Sequence, residues 1–290
     1  MASQELETER ITRERPPDTG ERLAPVARPG FWLPVATLWW RELVRFYRQR
    51  SRVVGALGTP LLFWILIGSG FGGSFRASGP SDPGGMSYLE YLFPGTILLI
   101  VLFTAIFSTI SVIEDRHEGF LLSVLVAPIS RTALVMGKVL GGATLSLIQG
   151  LVFLVLAPVA GIRLGPRQAL EVAAILFLIS LAMTALGFYF AWRLDSVQGF
   201  HSVMNLVLMP MWLLSGALFP ASGAHSWLAW VMRVNPMTYG MAALRHVLYT
   251  APPPDAPALA LSVAVMTVFG CLAILAGLWE VGRSAAGGSV

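Results

Sequence analysis

The 290-residue chain is 55% apolar and only 12% charged, with a formal net charge of +4, and its mean hydropathy is +0.69. Soluble domains carry about 25% charged residues, so this composition excludes a soluble globular protein and predicts an integral membrane one. The small positive charge is not gathered into a basic block with interleaved aromatics, which excludes a nucleic-acid partner, and the single cysteine, Cys271, excludes an intrachain disulfide. Cys271 reads as a small hydrophobe in a helix.

In chain order, residues 1–30 mix Glu, Arg, Pro and Gly without the apolar core of a signal peptide, and read as a disordered tail that stays on the side where it was made. The stretch FWLPVATLWWRELVRFYRQRSR follows, with apolar Ala36, Trp39, Trp40, Leu43, Phe46 and Tyr47 at helical spacing and Arg41, Arg45, Arg48 and Arg52 on another face. Bulky aromatics opposite arginines predict a helix lying in the membrane interface, aromatic side down.

Six apolar stretches then approach the roughly 20 residues that cross a bilayer: Val53–Phe71, Leu92–Ile113, Val139–Ala160, Glu171–Trp192, Phe200–Phe219 and Ala258–Trp279. Gly55, Gly58, Pro60, Gly68 and Gly70 punctuate the first, and Pro210 and Gly216 the fifth, marking kinks or close helix packing. Lys and Arg beside the spans choose the orientation. Arg41, Arg45, Arg48, Arg50, Arg52, Arg116, Arg131, Lys138, Arg193 and Arg283 fall on one side, against Arg76, Arg163, Arg167, Arg233 and Arg245 on the other. This bias places both termini in the cytoplasm. Between spans two and three, Glu114, Asp115, Arg116, His117 and Glu118 form a charged loop. It is followed by a short amphipathic helix in which Leu121, Leu122, Leu125 and Val126 share a face and Pro128 ends the pattern. Before the last span, SWLAWVMRV and MTYGMAALRHVLY, separated by Asn235-Pro236, predict two half-length re-entrant or interfacial helices on the external face.

Sites of familiar chemistry are missing from the pattern. Gly68, Gly70 and Gly73 fit GxGxxG formally but close a membrane span instead of joining a strand to a helix, and Gly137-Lys138 lacks the upstream glycine and following Ser or Thr of a phosphate-binding loop. His117, His201, His225 and His246 have no metal-ligand spacing, and no HExxH or nucleophile elbow occurs. The middle thirds of the spans hold almost no ionisable group, whereas ion-driven carriers place carboxylates there. Their polar intrusions, Thr144, Gln149 and Asn205, read as interhelical hydrogen-bonding residues. On the residues alone, a subunit powered from outside and a carrier or membrane transferase acting alone both stand.

Two blocks carry a resemblance. Glu114-x-Arg116-x-Glu118-Gly119 leads to Ala127-Pro128-x-Ser130-Arg131 and Gly137-Lys138. A second block joins Leu214-Ser215-Gly216 and Phe219-Pro220 to Asn235-Pro236-x-Thr238-Tyr239 and Leu244-Arg245. Both are similar to the permease subunit of ABC-2 type exporters, over about positions 31 to 283. The chain departs from that pattern at Phe120, where Thr is usual, and at Leu122, where Glu or Gln is usual.

The resemblance implies an all-α membrane domain over 31–283 between a tail at 1–30 and another at 284–290. That domain would comprise six transmembrane helices, an N-terminal interface helix, a cytoplasmic coupling helix and external helices before the last span. It also implies a cytoplasmic-membrane exporter, a second permease copy, and a separate ATPase that holds ATP and Mg while this chain holds no cofactor. Glu114, Arg116, Glu118, Gly119, Phe120, Leu121 and Leu125 would couple to the ATPase, beside Trp39, Trp40, Arg41, Arg45 and Arg48 of the interface helix. The cargo would be a drug or antibiotic, as in daunorubicin-resistance permeases, or a polysaccharide or lipo-oligosaccharide.

Overall fold

The computed structural model describes residues 30–70, 87–127, 129–219, 224–249 and 256–286. These form α1 (Trp32–Arg48), α2 (Arg50–Gly70), α3 (Tyr88–Ser108), α4 (Ile110–His117), α5 (Phe120–Val126), α6 (Arg131–Leu154) and α7 (Pro166–Arg193). α8 (Val197–Trp212) continues as a π-helical turn over Leu213–Ala217, and α9 (Ser226–Val234), α10 (Pro236–Leu248) and α11 (Leu259–Ala286) complete the bundle. Among the described residues there is no strand, as the all-α expectation required. Expected motif residues Pro128 and Pro220 lie outside the described residues, as does the side chain of Leu125.

Five stretches among these residues are long and apolar enough to cross a bilayer: Tyr88–His117, Arg131–Leu154, Pro166–Arg193, Val197–Ala217 and Leu259–Ser284. The expected first span is also helical, but its apolar part, Val54–Gly70, falls short of the about 20 residues a bilayer core asks of a helix. The expectation of six spans therefore stands at five by length and composition.

Two sequence expectations are corrected. The charged run is not a loop: Glu114 to His117 form the last turn of α4, which continues α3 after a tightened turn at Thr109. Only Glu118 and Gly119 make the bend, because no breaker precedes Gly119, whose φ of 74° is the left-handed conformation that glycine supplies without strain. The third span does not begin after Lys138 but at Arg131, where the Ser130 hydroxyl accepts from the Ala133 amide at 3.2 Å as an N-cap. A lysine lies inside it because its charge is neutralised within the chain.

α3 is the axis of the bundle, almost wholly buried along its length, while α11 lies at the edge with most of its apolar surface turned outward. α6 packs against α1, α3 and α7, and α11 against α7 and α10. Close approach is built into α6. A Cβ at Gly141 would lie 2.7 Å from Glu42 Cβ of α1, and one at Gly142 would lie 2.6 Å from Thr184 Cγ2 of α7 and would also strike Ser108 Oγ. Small residues let membrane helices meet at backbone distance. The bundle has two polar ends. One gathers α1, α4, α5, the start of α6 and the ends of α7 and α11, with α7 tied to α11 by Trp192 Nε1 donating to Ser284 Oγ at 3.1 Å and α6 tied to α11 by Arg131 donating to Gly282 O at 3.3 Å. The other gathers α9, α10 and the starts of α3, α7 and α11 through Tyr249 Oη on Glu90 O, Gln168 Nε2 on Val247 O and His246 Nε2 on Pro257 O.

Candidate functional site

The elbow joining α4 to α5 rests on a group of charges whose centre, Glu42, Asp115 and Lys138, is buried. Arg41 and Arg45 are one turn apart on α1 and, carrying like charge, need counterions on the same face. Asp115, fully buried, supplies them. It accepts from Arg41 Nη1 at 2.8 Å and Nη2 at 2.6 Å, from Arg45 Nη1 at 2.6 Å, and from Lys138 Nζ of α6. Lys138 also donates to Glu42 Oε1 at 2.6 Å and Ser111 Oγ at 3.2 Å, and Arg45 Nη2 donates to Glu114 Oε2 at 2.9 Å. The Asp115 carboxylate raises the Arg41 pKa above its already high value. Three cations face three acids, Glu42, Glu114 and Asp115, so the node is neutral and α1, α4 and α6 are locked together.

Glu118 is the surplus acid. Its side chain is 60% exposed and only 3.4 Å from Arg45 Nη2. Beside it Arg41 lies over the Phe120 ring at 3.8 Å, an aromatic contact that replaces the polar one a threonine would make. Leu121 points into the core. Arg116 turns the other way, toward the connection between α7 and α8: it donates to Trp192 O, to Leu194 O at 3.5 Å and to Asp195 Oδ1 at 3.0 Å, while His117 Nε2 donates to Asp195 O at 2.8 Å.

The interface helix differs from its expected arrangement. Arg41 and Arg45 face inward to the node, and Trp39 and Trp40 part company: Trp39 Nε1 donates to Thr144 Oγ1 of α6 at 3.0 Å, while Trp40, with Leu33, Ala36 and Tyr47, is exposed on an outward apolar stripe. Arg48 is exposed. Two apolar faces, one to the bundle and one outward, were read from the sequence as one.

Helices α2, α3 and α8 border an open cavity of about 570 Å³, lined by Ala56, Thr59 and Phe63 of α2, Phe103, Thr104 and Phe107 of α3, and His201, Met209 and Trp212 of α8, together with Phe46 of α1 and Ile110 of α4. Its size is that of a pocket for a drug-sized ligand, and its walls are largely apolar and aromatic. His201 stacks at a tilt on Phe107, with ring centroids 4.9 Å apart. Thr104 donates its hydroxyl to Gln149 Oε1 at 2.5 Å, the interhelical bond expected of Gln149, whereas Asn205 lies on the exposed face of α8. Among the described residues no cluster of three or more His, Cys, Asp or Glu side chains is placed to hold a metal.

At the far end, the second sequence block holds a broken helix. Gly216 at φ 88° interrupts α8 and frees carbonyls that lipid would leave without donors. Asn235 Nδ2 donates to Met211 O at 2.7 Å, Thr238 Oγ1 to Leu214 O at 3.3 Å, and Arg245 Nη2 and Tyr91 Oη to Gly216 O at 2.8 and 3.2 Å. Arg245 also lies over the Tyr91 ring at 4.5 Å. Asn235 caps α10 by accepting from the Met237 amide, Pro236 occupies its first turn, and Tyr239 Oη donates to Arg233 O at 2.9 Å.

The expected residues thus form two groups. Glu114, Arg116, Glu118, Gly119, Phe120, Arg41, Arg45 and Lys138 meet at one end; Gly216, Asn235, Pro236, Tyr239 and Arg245 meet at the other. Ser130, Arg131 and Gly137 serve the start and seating of α6, a Cβ on Gly137 falling 2.7 Å from Leu38 Cβ. Sequence reasoning missed Glu42, the central role of Asp115, and Asp195. A signal for Glu42 was present: an acid in register with Val35 and Leu38 on the buried face of α1 requires a cation opposite.

The sequence profile of the ABC-2 type transporter family matches residues 34–249. The chain is 28% identical over 210 residues to a putative transport permease, ycf38, of Cyanophora paradoxa, covering 71% of each chain. It is 23% identical over 223 residues to the inner membrane transport permease YadH of Escherichia coli K12, covering 74% of this chain and 83% of that one. To nodulation protein J of Rhizobium leguminosarum bv. trifolii it is 26% identical over 234 residues, covering 79% and 86%. The matched region runs from α1 through the node, the cavity and the broken helix to the end of α10, and the chain belongs to the ABC-2 type transporter family.

Proposed function

We propose that this chain is the permease subunit of an ATP-binding cassette exporter, acting as two copies with two copies of a separate ATPase. It would carry an amphipathic or lipid-linked substrate, either a drug or antibiotic or a lipid-linked saccharide, out through the cytoplasmic membrane. The names of the relatives support transport, and the arginine bias supports cytoplasmic termini and a cytoplasmic elbow. The observation that carries the reading is the elbow itself. Glu118, exposed, and Gly119 stand at the tip of a neutral, part-buried node, and that node fastens α1 and α4, which border the cavity through Phe46 and Ile110. A partner pushing on the tip moves the cavity wall, and the surplus charge on Glu118 gives a cationic partner groove something to grip. Leu121 serves this arrangement from inside, as the seat of α5.

The buried acids do not favour an ion-driven carrier. Asp115 and Glu42 are each paired with cations, whereas a coupling carboxylate must exchange its ion.

The test is co-purification of the ATPase on the tagged chain, followed by substrate-stimulated hydrolysis. Glu118→Lys and Gly119→Trp should leave membrane insertion intact and reduce ATPase recovery or abolish stimulation, and a reversed charge on the partner should rescue Glu118→Lys. Wild-type transport and ATPase recovery in both variants would sink the coupling role. The isolated chain should neither bind nor hydrolyse ATP.

A further inference from the structure

Lys138, the buried cation of the node, has two acids beside it. Arg245 of α10, buried at the opposite end of the bundle with 6% of its surface exposed, has none among the described residues. Glu90 meets Tyr249 there through its backbone carbonyl, and Glu171 pairs with Arg167. The contacts of the Arg245 guanidinium are one hydrogen bond, from Nη2 to Gly216 O at 2.8 Å, and the Tyr91 ring, whose centroid lies 4.5 Å from its Cζ. A buried charge without a counterion is among the costliest arrangements a fold can hold.

The freed carbonyl does not by itself call for a charge. Met211 O and Leu214 O, released by the same break, are held by the neutral donors Asn235 and Thr238, and Gly216 O also receives Tyr91 Oη at 3.2 Å. A guanidinium carries five N–H donors, and Gly216 O uses one of them. Nε and Nη1 have no partner among the described residues, yet neither is among the enclosed nitrogens that lack one, so both open onto accessible space. Nη1 faces the side of Gly216 where no side chain stands, 3.8 Å from the position a Cβ would take.

The depth of the site narrows the ligand. Tyr91 lies in the first turn of α3 and Arg245 in the last turn of α10, so the guanidinium is within about 5 Å of the ends of both helices. Headgroups occupy about 5–7 Å on each side of the hydrocarbon core, and arginine side chains at helix ends reach toward that layer. Phosphate is the anion of this depth, and the planar fork of a guanidinium fits its oxygens.

We propose that Arg245 is a binding site for a phosphate group, carried by a lipid headgroup or by a soluble phosphate, which takes the guanidinium donors that Gly216 O leaves free and supplies the missing counterion. Because the same guanidinium holds Gly216 O, an occupied site also steadies the break at the end of α8.

The full-length chain, stripped of lipid in an uncharged detergent at constant ionic strength, tests this without any partner protein. Its thermal midpoint should rise saturably with inorganic phosphate or with phosphatidylglycerol in the micelle, as expected when a ligand binds the folded state alone. Arg233→Gln, at an exposed arginine of the same end, should respond as the parent does. Arg245→Gln, which keeps a donor for Gly216 O, should need at least ten-fold more of either probe. A response to phosphatidylglycerol alone assigns the site to a lipid headgroup, to inorganic phosphate alone to a soluble phosphate, and to both to the phosphate group whatever carries it. No response to either probe, or the same response in Arg245→Gln, overturns the site. Should Arg245→Gln fail to fold, Arg245→Lys, which keeps the charge and loses the fork, should need several-fold more probe than the parent, and an equal need would overturn the proposal.

Discussion

Asp115 accepts from two arginines and one lysine at zero exposure, and its removal would leave these three cations sharing Glu42 and Glu114, with Arg41 losing both of its hydrogen bonds to an acid. Breaking a buried pair from one side costs about 3–5 kcal/mol. Asp115→Ala should therefore lower the yield of folded protein and the thermal midpoint in detergent, whereas Glu118→Lys, at an exposed position, should leave both nearly unchanged. Equal midpoints for the two variants would remove the distinction between node and tip. Lys138→Met should be destabilising because it removes the cation that hydrogen-bonds the buried Glu42 and leaves it only Arg41 at 3.6 Å, and adding Glu42→Met should recover much of the loss, since an ion pair replaced from both sides by apolar groups is near neutral. The charge cluster was visible in the sequence, but its partition was not. Glu114, Arg116 and Glu118 look alike as text, and only their partners separate two residues engaged within the chain from one that faces outward.

Among the elements, α6 and α8 show how local rules are bent by packing. Gly142 faces Ser108 of α3 and Thr184 of α7, and a leucine there overpacks a closed seam; Gly142→Leu should destabilise the bundle by about 1–3 kcal/mol or more. Gly55 meets nothing within 4 Å of an added Cβ and borders the cavity, so Ala56→Trp on the same wall should fill space without unfolding. Its expected signature is impaired transport at an unchanged thermal midpoint; unimpaired transport would argue that cargo does not pass this wall. In α8 the break at Gly216 is held by donors from α10. Asn235→Ala removes a helix cap and the donor to Met211 O together, a loss of about 2 kcal/mol or more, measurable as a drop in thermal midpoint that Asn235→Asp, which keeps the cap but not the donor, should share only in part. Pro210, Gly216 and Asn235-Pro236 announce a break in the sequence. Which groups mend it depends on residues 24 to 125 positions away.

For the whole molecule, the proposed orientation puts the two polar ends on opposite faces of the membrane: the elbow end bears most of the span-flanking arginines, and α9 and α10 cap the other. In a Cys271→Ala background, Ser130→Cys should label only from the cytoplasm and Ser226→Cys only from outside; the reverse pattern would invert the orientation.

Membrane residence, the helices and the break in α8 are determined by the sequence itself, because apolar length is a local property and a glycine or proline weakens a helix where it stands, although α2 runs unbroken through Pro60. The two motif blocks are local as well, and carry the family. The tertiary structure alone decided that the charged run is helical, that Lys138 lies inside a span, and which face of α1 is turned inward. Arg41 meets Asp115 across 74 positions and Lys138 meets Glu42 across 96. A charge reads as a solvated flank until its counterion is brought to it, and the meeting of distant helices brings that counterion here.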